Sequence, residues 1–355
     1  MKPTKSKDHE LEGFWSRCAL GHWTGIRWWI DDSADIPNIL VTIDQLVEDI
    51  GRSKGDQFRV QKNRQGQEVV KITELARRIL DGVKKLDVAL VRRHLNCHSF
   101  SPRYELWEAR QDNHGLLSFD ELPPAWVPQV NQWIDSVRAK ARAPSLVRAV
   151  ENRAGAATKN KIRAGRYVDA LLRRYVNLQV VQLDLGYRND PFDDGTYGNP
   201  FSDDQVAEHL KKVRSFVRKG LKGFVGSIWR VEYSSIKGHS CHLMLFFDGL
   251  LSFDGSTCVL PVAQEWSAIT HGYGMLWNWN DEHISRQCHV IGAISVFDDE
   301  GRRRLVQEAM FIARLDYYAR FESPAFKRTY GKGEISAKLV RRTLTHKRGR
   351  CRIVD

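Results

Sequence analysis

The stretch Arg230–Gly249 reads RVEYSSIKGHSCHLMLFFDG, and the reading of the fold starts there. A strand-like run leads to Glu232 and Tyr233, and a turn at Gly238 follows. A second strand-like run then opens with His239 and His242 and continues through Leu243–Phe247. An acidic residue and histidines on adjacent strands form a ligand set for a divalent cation. A metal beside a tyrosine is equipment for cutting a DNA strand.

Side chains alternate between the two faces of a strand. Ile228, Arg230 and Glu232 therefore share a face, as do Ser240, His242, Met244 and Phe246. His239, Cys241, Leu243 and Leu245 take the opposite one. In a regular strand His239 and His242 diverge, and only a bulge before Cys241 or a loop conformation at Gly238-His239 brings them to one metal. A His239/Cys241 pair would suit zinc better. Glu232 and His242 with Asp184, at the end of the preceding strand, suit Mg²⁺ or Mn²⁺.

Working outward, Leu178–Leu185 reads as a buried strand. Ser202-Asp-Asp-Gln205 is a capping-box signature, and Val206, Leu210, Val213, Phe216 and Val217 continue it as a helix ending near Gly220. Phe224–Tyr233 and Cys241–Phe247 are the second and third strands. Leu260–Thr270 reads as a helix, Cys288–Phe297 as a fourth strand and Asp299–Arg320 as one long helix. The order strand, helix, strand, strand, helix, strand, helix predicts an α+β fold, a ferredoxin-like antiparallel sheet with packed helices. RNA-binding sheets share this layout, but their aromatic signature is not seen on the third strand.

Four regions are expected: a mainly helical, Trp-rich region at 1–135, a basic linker or helix at 136–175, the sheet domain at 176–335 and a basic tail at 336–355. In the first region Ile72, Leu75, Ile79, Val83, Leu86 and Leu90 recur at helical steps, predicting a helix near Lys71–His94. Its tryptophans (Trp15, Trp23, Trp28, Trp29, Trp107, Trp126, Trp133) read as core rather than as a base-stacking surface. Gly155 and its neighbours suggest a soft joint in the basic helix. Tyr273–Trp279 reads as packing, with base stacking the alternative use. Gly331-Lys332-Gly333 lacks the leading glycine and following Ser/Thr of a nucleotide-binding loop.

The chain has 355 residues, 28% of them charged, and a net charge of +12. That composition excludes a disordered chain and predicts no membrane span. Six scattered cysteines without a CxxC, and a charged N-terminus with no apolar run, point to free thiols in a reducing cytoplasm. Arg138–Arg174 carries a local charge of about +9 and Lys338–Asp355 about +6, leaving a nearly neutral body with two basic attachments. Such segments suit a polyphosphate backbone.

Over Arg166–Glu334 the sequence resembles the inovirus-type replication initiators with a YagK/YfjJ-like C-terminal domain, relatives of the HUH rolling-circle Rep endonucleases. The pieces that carry the resemblance are Val181-Gln-Leu-Asp184, Glu232-Tyr233, Gly238–Gly249, Leu315-Asp-Tyr-Tyr318 and Arg328-Thr-Tyr-Gly-Lys-Gly333. The resemblance implies an endonuclease that nicks one strand at a replication origin. In that scheme a metal polarises the scissile phosphate and a helical tyrosine attacks it. It implies Mg²⁺ or Mn²⁺ on Asp184, Glu232 and His242, with His239 as the only local substitute for a second histidine, and Tyr318 or Tyr317 as nucleophile. Candidate DNA contacts are Arg163, Arg166, Arg173, Arg174, Arg314, Arg320 and Lys332. The implied partners are single-stranded or origin DNA and the host replication helicase or polymerase, with no membrane.

Two positions depart from the family's pattern. Ser240 stands where its first metal histidine belongs, and Phe311 where its tyrosine belongs, with Arg314 in place of the following lysine. On one continuous helix Tyr318 would lie on nearly the same face as Phe311, roughly 10 Å further along, and Tyr317 about 100° away from Tyr318. The competing expectation is a prophage-derived DNA-binding protein of the same fold that has lost catalysis.

Overall fold

The computed structural model describes residues 21–23, 28–30, 36–110, 122–188, 201–235, 238–251, 256–278, 291–335, 343–347 and 350–354. The chain forms two compact units, Met1–Ala156 with Asp316–Arg320, and Ala157–Leu315 with Phe321–Asp355. Trp15 and Trp279 lie outside the described residues, as do residues 288–290, where the fourth strand was expected to begin. The basic tail contains an antiparallel pair, Thr343–Lys347 with Arg350–Val354.

The first unit is built on helix α1 (Ile36–Arg52), whose Ile39, Ile43, Leu46, Val47 and Ile50 are buried. A β-hairpin follows, β1 (Phe58–Lys62) and β2 (Glu68–Ile72), and then helices α2 (Glu74–Lys85) and α3 (Val88–His94). The single helix expected near Lys71–His94 is thus a strand and two helices. Each helix has its own cap: Thr73 Oγ1 accepts from Ala76 N, and Asp87 Oδ1 from Leu90 N at 2.8 Å. The backbone is extended at Leu86 between them. Helices α4 (Pro102–Glu108) and α5 (Val127–Ala141) close the core, with Trp107 and Trp133 packed edge to face at 5.8 Å. The expectation that these two tryptophans are core holds.

Helix α6, Pro144–Arg174, runs unbroken for 31 residues through Gly155. One glycine costs a helix about 1 kcal/mol against alanine, too little to open the expected joint. The boundary between the two units nevertheless falls inside this helix, at Ala156/Ala157.

The second unit is α+β with an antiparallel sheet. Its strands are β3 (Asn177–Tyr187), β4 (Phe224–Ser234), β5 (Gly238–Asp248), β6 (Gly274–Asn278), β7 (Gly292–Ser295) and β8 (Tyr330–Lys332). The order across the sheet is β7-β3-β5-β4-β8, and β6 pairs with the far half of β3. Helix α7 (Asp203–Gly220) connects β3 to β4, and α8 (Ser256–Ile269) follows β5. The capping box is present: Ser202 Oγ accepts from Gln205 N, and Gln205 Oε1 from Ser202 N. Strand β6 was not foreseen; its residues are all half-buried, so no clean alternation marks it.

Both faces of the sheet are covered. Val181, Leu183, Leu185, Val231, Cys241, Leu243, Leu245 and Phe247 pack against Val206, Leu210, Val213 and Val217 of α7 and Val262 and Trp266 of α8. Each fully buried aliphatic or aromatic side chain contributes roughly 1.5–3 kcal/mol. The second face meets α6 and helix α9 (Asp299–Ile312). Tyr167 on α6 lies edge-on to Phe246 at 6.3 Å, and Gln182 Nε2 donates to Glu308 Oε1 on α9 at 2.9 Å.

Tyr167 is the keystone of that second face. Its hydroxyl accepts from Ser227 N at 3.1 Å. A Cβ at Gly226 would stand 2.1 Å from the same oxygen, and one at Gly333 2.5 Å. Both glycines therefore leave room for a phenol. Gly226→Ala is expected to destabilise the protein by about 1–3 kcal/mol, as overpacking does. Tyr167→Phe in the same chain should recover part of that loss. Chemical denaturation of the two single variants and the double variant measures the coupling.

Candidate functional site

Strand register decides which candidate residues meet. Asp184 stands beside His242, His242 beside Arg230, Ser240 beside Glu232 and His239 beside Tyr233. The register shift between β4 and β5 falls at Phe224/Gly226, away from the histidines. Strand β5 therefore alternates regularly from Gly238, whose φ of +67° suits glycine at the turn. Ser240, His242, Met244 and Phe246 look toward α6 and α9, and His239, Cys241, Leu243 and Leu245 toward α7 and α8.

The bulge that would join the two histidines is thus not formed, and His239 is not brought to His242. Its ring packs among Tyr233, Phe321 and Phe326, with centroids 4.9, 5.6 and 6.0 Å away. Its Nε2 lies 3.0 Å from Asp203 Oδ1 at the start of α7. Burial lowers its pKa against the pull of Asp203. Cys241 shares its face, but burial pushes that thiol up to about 12, which keeps it protonated and a poor zinc ligand.

Asp184, Glu232 and His242 do share the other face. His242 Nδ1 is 2.6 Å from Asp184 Oδ1, and Arg230 Nε donates to Glu232 Oε1 at 2.8 Å. Arg230 and His242 are buried, while the Asp184 and Glu232 side chains are 27% and 31% exposed. Burial alone would lower the pKa of His242. The Asp184 carboxylate outweighs it, with help from Glu232 and Glu308, and the net shift is upward. Gln182 and Glu308 complete the polar layer.

The three residues expected to hold a divalent metal are engaged with one another and with Arg230 on this face. One oxygen of Asp184 meets an imidazole and one of Glu232 a guanidinium. Among the described residues no group of three or more His, Cys, Asp or Glu is disposed to hold a metal. Asp184, Glu232 and His242, expected from the sequence to hold Mg²⁺ or Mn²⁺, form an ion-paired polar layer with Arg230.

The tyrosines fall in the other unit. Helix α9 ends at Ile312, a short 3-10 turn covers Leu315–Tyr317, and Asp316–Arg320 belongs to the first unit. The single helix expected to carry Phe311 and Tyr318 on one face is therefore not formed. Tyr317 is buried, and its hydroxyl donates to Asp44 at 3.1 Å and accepts from Arg103 at 3.3 Å. Asp44 also accepts from Ser101 Oγ at 2.6 Å, and Arg153 Nε donates to the Tyr317 carbonyl at 2.7 Å. Burial and the Asp44 carboxylate raise the Tyr317 pKa. Tyr318 is 4% exposed, and its ring packs edge-on to Tyr317 at 4.9 Å.

The candidate DNA contacts are spread over both units. Arg163, Arg166 and Arg173 are exposed on α6, Arg174 and Arg314 are half-buried, and Arg320 is exposed in the first unit. Lys332 Nζ sits 4.7 Å from the centre of the Tyr167 ring, a cation–π contact. Three basic residues of the Arg138–Arg174 stretch serve structure instead. Arg138, Arg142 and Arg153 donate to backbone carbonyls of Gly55, Gly51 and Ser99.

Sequence reasoning placed Arg230 on the Glu232 face, where the two are ion-paired, but missed Glu308 and Gln182 as members of the polar layer. The signals were present. Val180-Val-Gln182-Leu-Asp184 places polar residues at alternate positions of an apolar strand, and Glu308 interrupts the apolar side of α9 beside Ala309. No family model, no curated protein and no solved structure matches this chain.

The His242–Asp184 pair gives stability a pH dependence with a definite sign. A histidine whose folded pKa lies above its ordinary 6.5 contributes stability that is complete below the unfolded value and is lost as pH rises through the folded one. In denaturation midpoints that contribution should fall as pH rises from about pH 5.5 to 9, opposite in sign to the contributions of His239 and His209, whose pKa values burial lowers. Asp184→Asn should flatten the fall and cost about 1–3 kcal/mol on its acid side.

Proposed function

We propose that this chain is a DNA-binding protein on the replication-initiator layout, one that recognises single-stranded or origin DNA and does not cut it through Tyr317 or Tyr318. The observation that carries the reading is a stripe on α6. At about 100° per residue, Lys159, Arg163, Arg166 and Arg173 fall within an arc of about 80° spanning about 21 Å, and all four are exposed. Ala157, Ala164, Val168, Leu171 and Leu172 occupy the opposite, buried side. A cationic line of that length suits a phosphate backbone.

The strand order supports the ferredoxin-like expectation. β3 and β4, joined through α7, lie on either side of β5, and β7, reached after α8, lies on the outer side of β3. Two findings favour recognition over nicking. The polar face is held by its own ion pairs, and the Tyr317 phenol is hydrogen-bonded in a buried network with a raised pKa, the reverse of an activated nucleophile. Recognition of this kind would present origin DNA to the host replication helicase or polymerase.

The test is the salt dependence of binding to a single-stranded oligonucleotide and to its duplex. Arg163→Ala/Arg166→Ala should lower the slope of log affinity against log salt by about 1.8, as two lost phosphate contacts do on duplex. Binding without a salt slope, or one untouched by this variant, contradicts the reading. Tyr317→Phe should cost about 1–3 kcal/mol of stability and leave DNA affinity unchanged.

A further inference from the structure

The hairpin β1–β2 in the first unit has almost no core of its own. Phe58 is fully buried at its base, but Arg59–Lys62 and Glu68–Val69 are exposed, as are Lys71 and Ile72. A two-stranded ribbon standing in water is marginal by itself, so this one is held at its ends. At the base, Asn131 Oδ1 accepts from the Gln57 and Phe58 amides, and Asn131 Nδ2 donates to the Phe58 carbonyl at 2.8 Å. Thr73 Oγ1 adds a bond to Gln57 Oε1 at 2.7 Å.

The tip is equally fixed. Asn63 Oδ1 accepts from the Gln65 and Gln67 amides at 2.9 Å each, and Gly66 takes a φ of +79°. Arg64 and Gln65 are left exposed at the apex of a preformed turn.

The charges on this ribbon are arranged for an anion. Arg59 stands directly opposite Lys71, and like charges in register across a strand pair are destabilising in the free protein. The next helix treats its arginines differently: Arg77 pairs with Glu74, and Arg78 with Asp49 at 2.7 Å. Lys62 stands opposite Glu68, whereas Arg59, Arg64 and Lys71 are exposed with no acidic residue opposite them in the ribbon. Each strand is about 17 Å long, and a two-stranded ribbon fits the major groove of B-form DNA, about 12 Å wide. The major groove of A-form RNA is too narrow. Single-strand binders stack bases on aromatic rings, and the only aromatic of this ribbon, Phe58, is buried.

From this we infer that the hairpin is a second nucleic-acid contact, a ribbon that enters the major groove of duplex DNA. Arg59 and Lys71 meet phosphates on one face. Arg64 and Gln65 reach base edges at the tip, where arginine reads guanine and glutamine reads adenine. This assignment is independent of the α6 stripe.

The test uses the full chain and fluorescence anisotropy on a random-sequence duplex and on one of its strands. Arg59→Ala/Lys71→Ala should lower the duplex salt slope by about 1.8 and duplex affinity at physiological salt by roughly 30-fold. Arg59→Lys, which keeps the charge, should keep the slope. Arg64→Ala/Gln65→Ala should change the sequences enriched from a random duplex library. Melting temperatures should not fall, because the replaced side chains are exposed. An unchanged duplex slope in the first variant, or a loss confined to the single strand, overturns the assignment.

Discussion

Strand β5 is buried on both faces, and that constraint governs the second unit. From Gly238 to Asp248 it is hydrogen-bonded to β3 on one side and β4 on the other, and every residue but Ser240 is buried. A polar group on such a strand must find a partner inside the protein. The partners are visible: Asp184 for His242, Arg230 for Glu232, Glu308 for Gln182, Asp203 for His239. Groups that would face solvent on an open sheet are here paired with one another.

Much of this was legible in the sequence. The strands around Asp184, Glu232 and His242 show their alternation directly, and Ser202–Gln205 announces the start of its helix. The divergence of His239 and His242 follows from counting along a regular strand. The tyrosines were not legible, because nothing local marks Ile312 as the end of α9. The turn there depends on Asp44 and Arg103, more than two hundred residues earlier, which hold Tyr317 in the first unit. Helical spacing at Leu75, Ile79, Val83, Leu86 and Leu90 also carried across a real break, since Asp87 caps a new helix without disturbing the apolar rhythm. The cover over the second sheet face was hidden for a similar reason: Gly226 and Gly333 make sense only once Tyr167 is seen between them.

Both readings of function rest on cations without structural duties. In the Arg138–Arg174 stretch, Arg138, Arg142 and Arg153 bind backbone carbonyls, while Lys159, Arg163 and Arg166 stand exposed on the opposite side of α6 from its core. The β1–β2 ribbon repeats the pattern with a rigid base, a rigid tip and exposed charge between. The proposed reading, a protein that holds a polyanion rather than breaks one, rests on these exposed cations and on carboxylates and a tyrosine engaged inside the protein.

The most direct test of that claim is a covalent-trapping experiment. The full chain is incubated with single-stranded DNA from its own genetic element and Mn²⁺, then run on a denaturing gel. The account predicts salt-sensitive binding before denaturation and no protein–DNA adduct after it. A metal-dependent adduct that disappears in Tyr317→Phe or Tyr318→Phe would contradict it, and would show that these phenols leave their buried network to attack phosphorus.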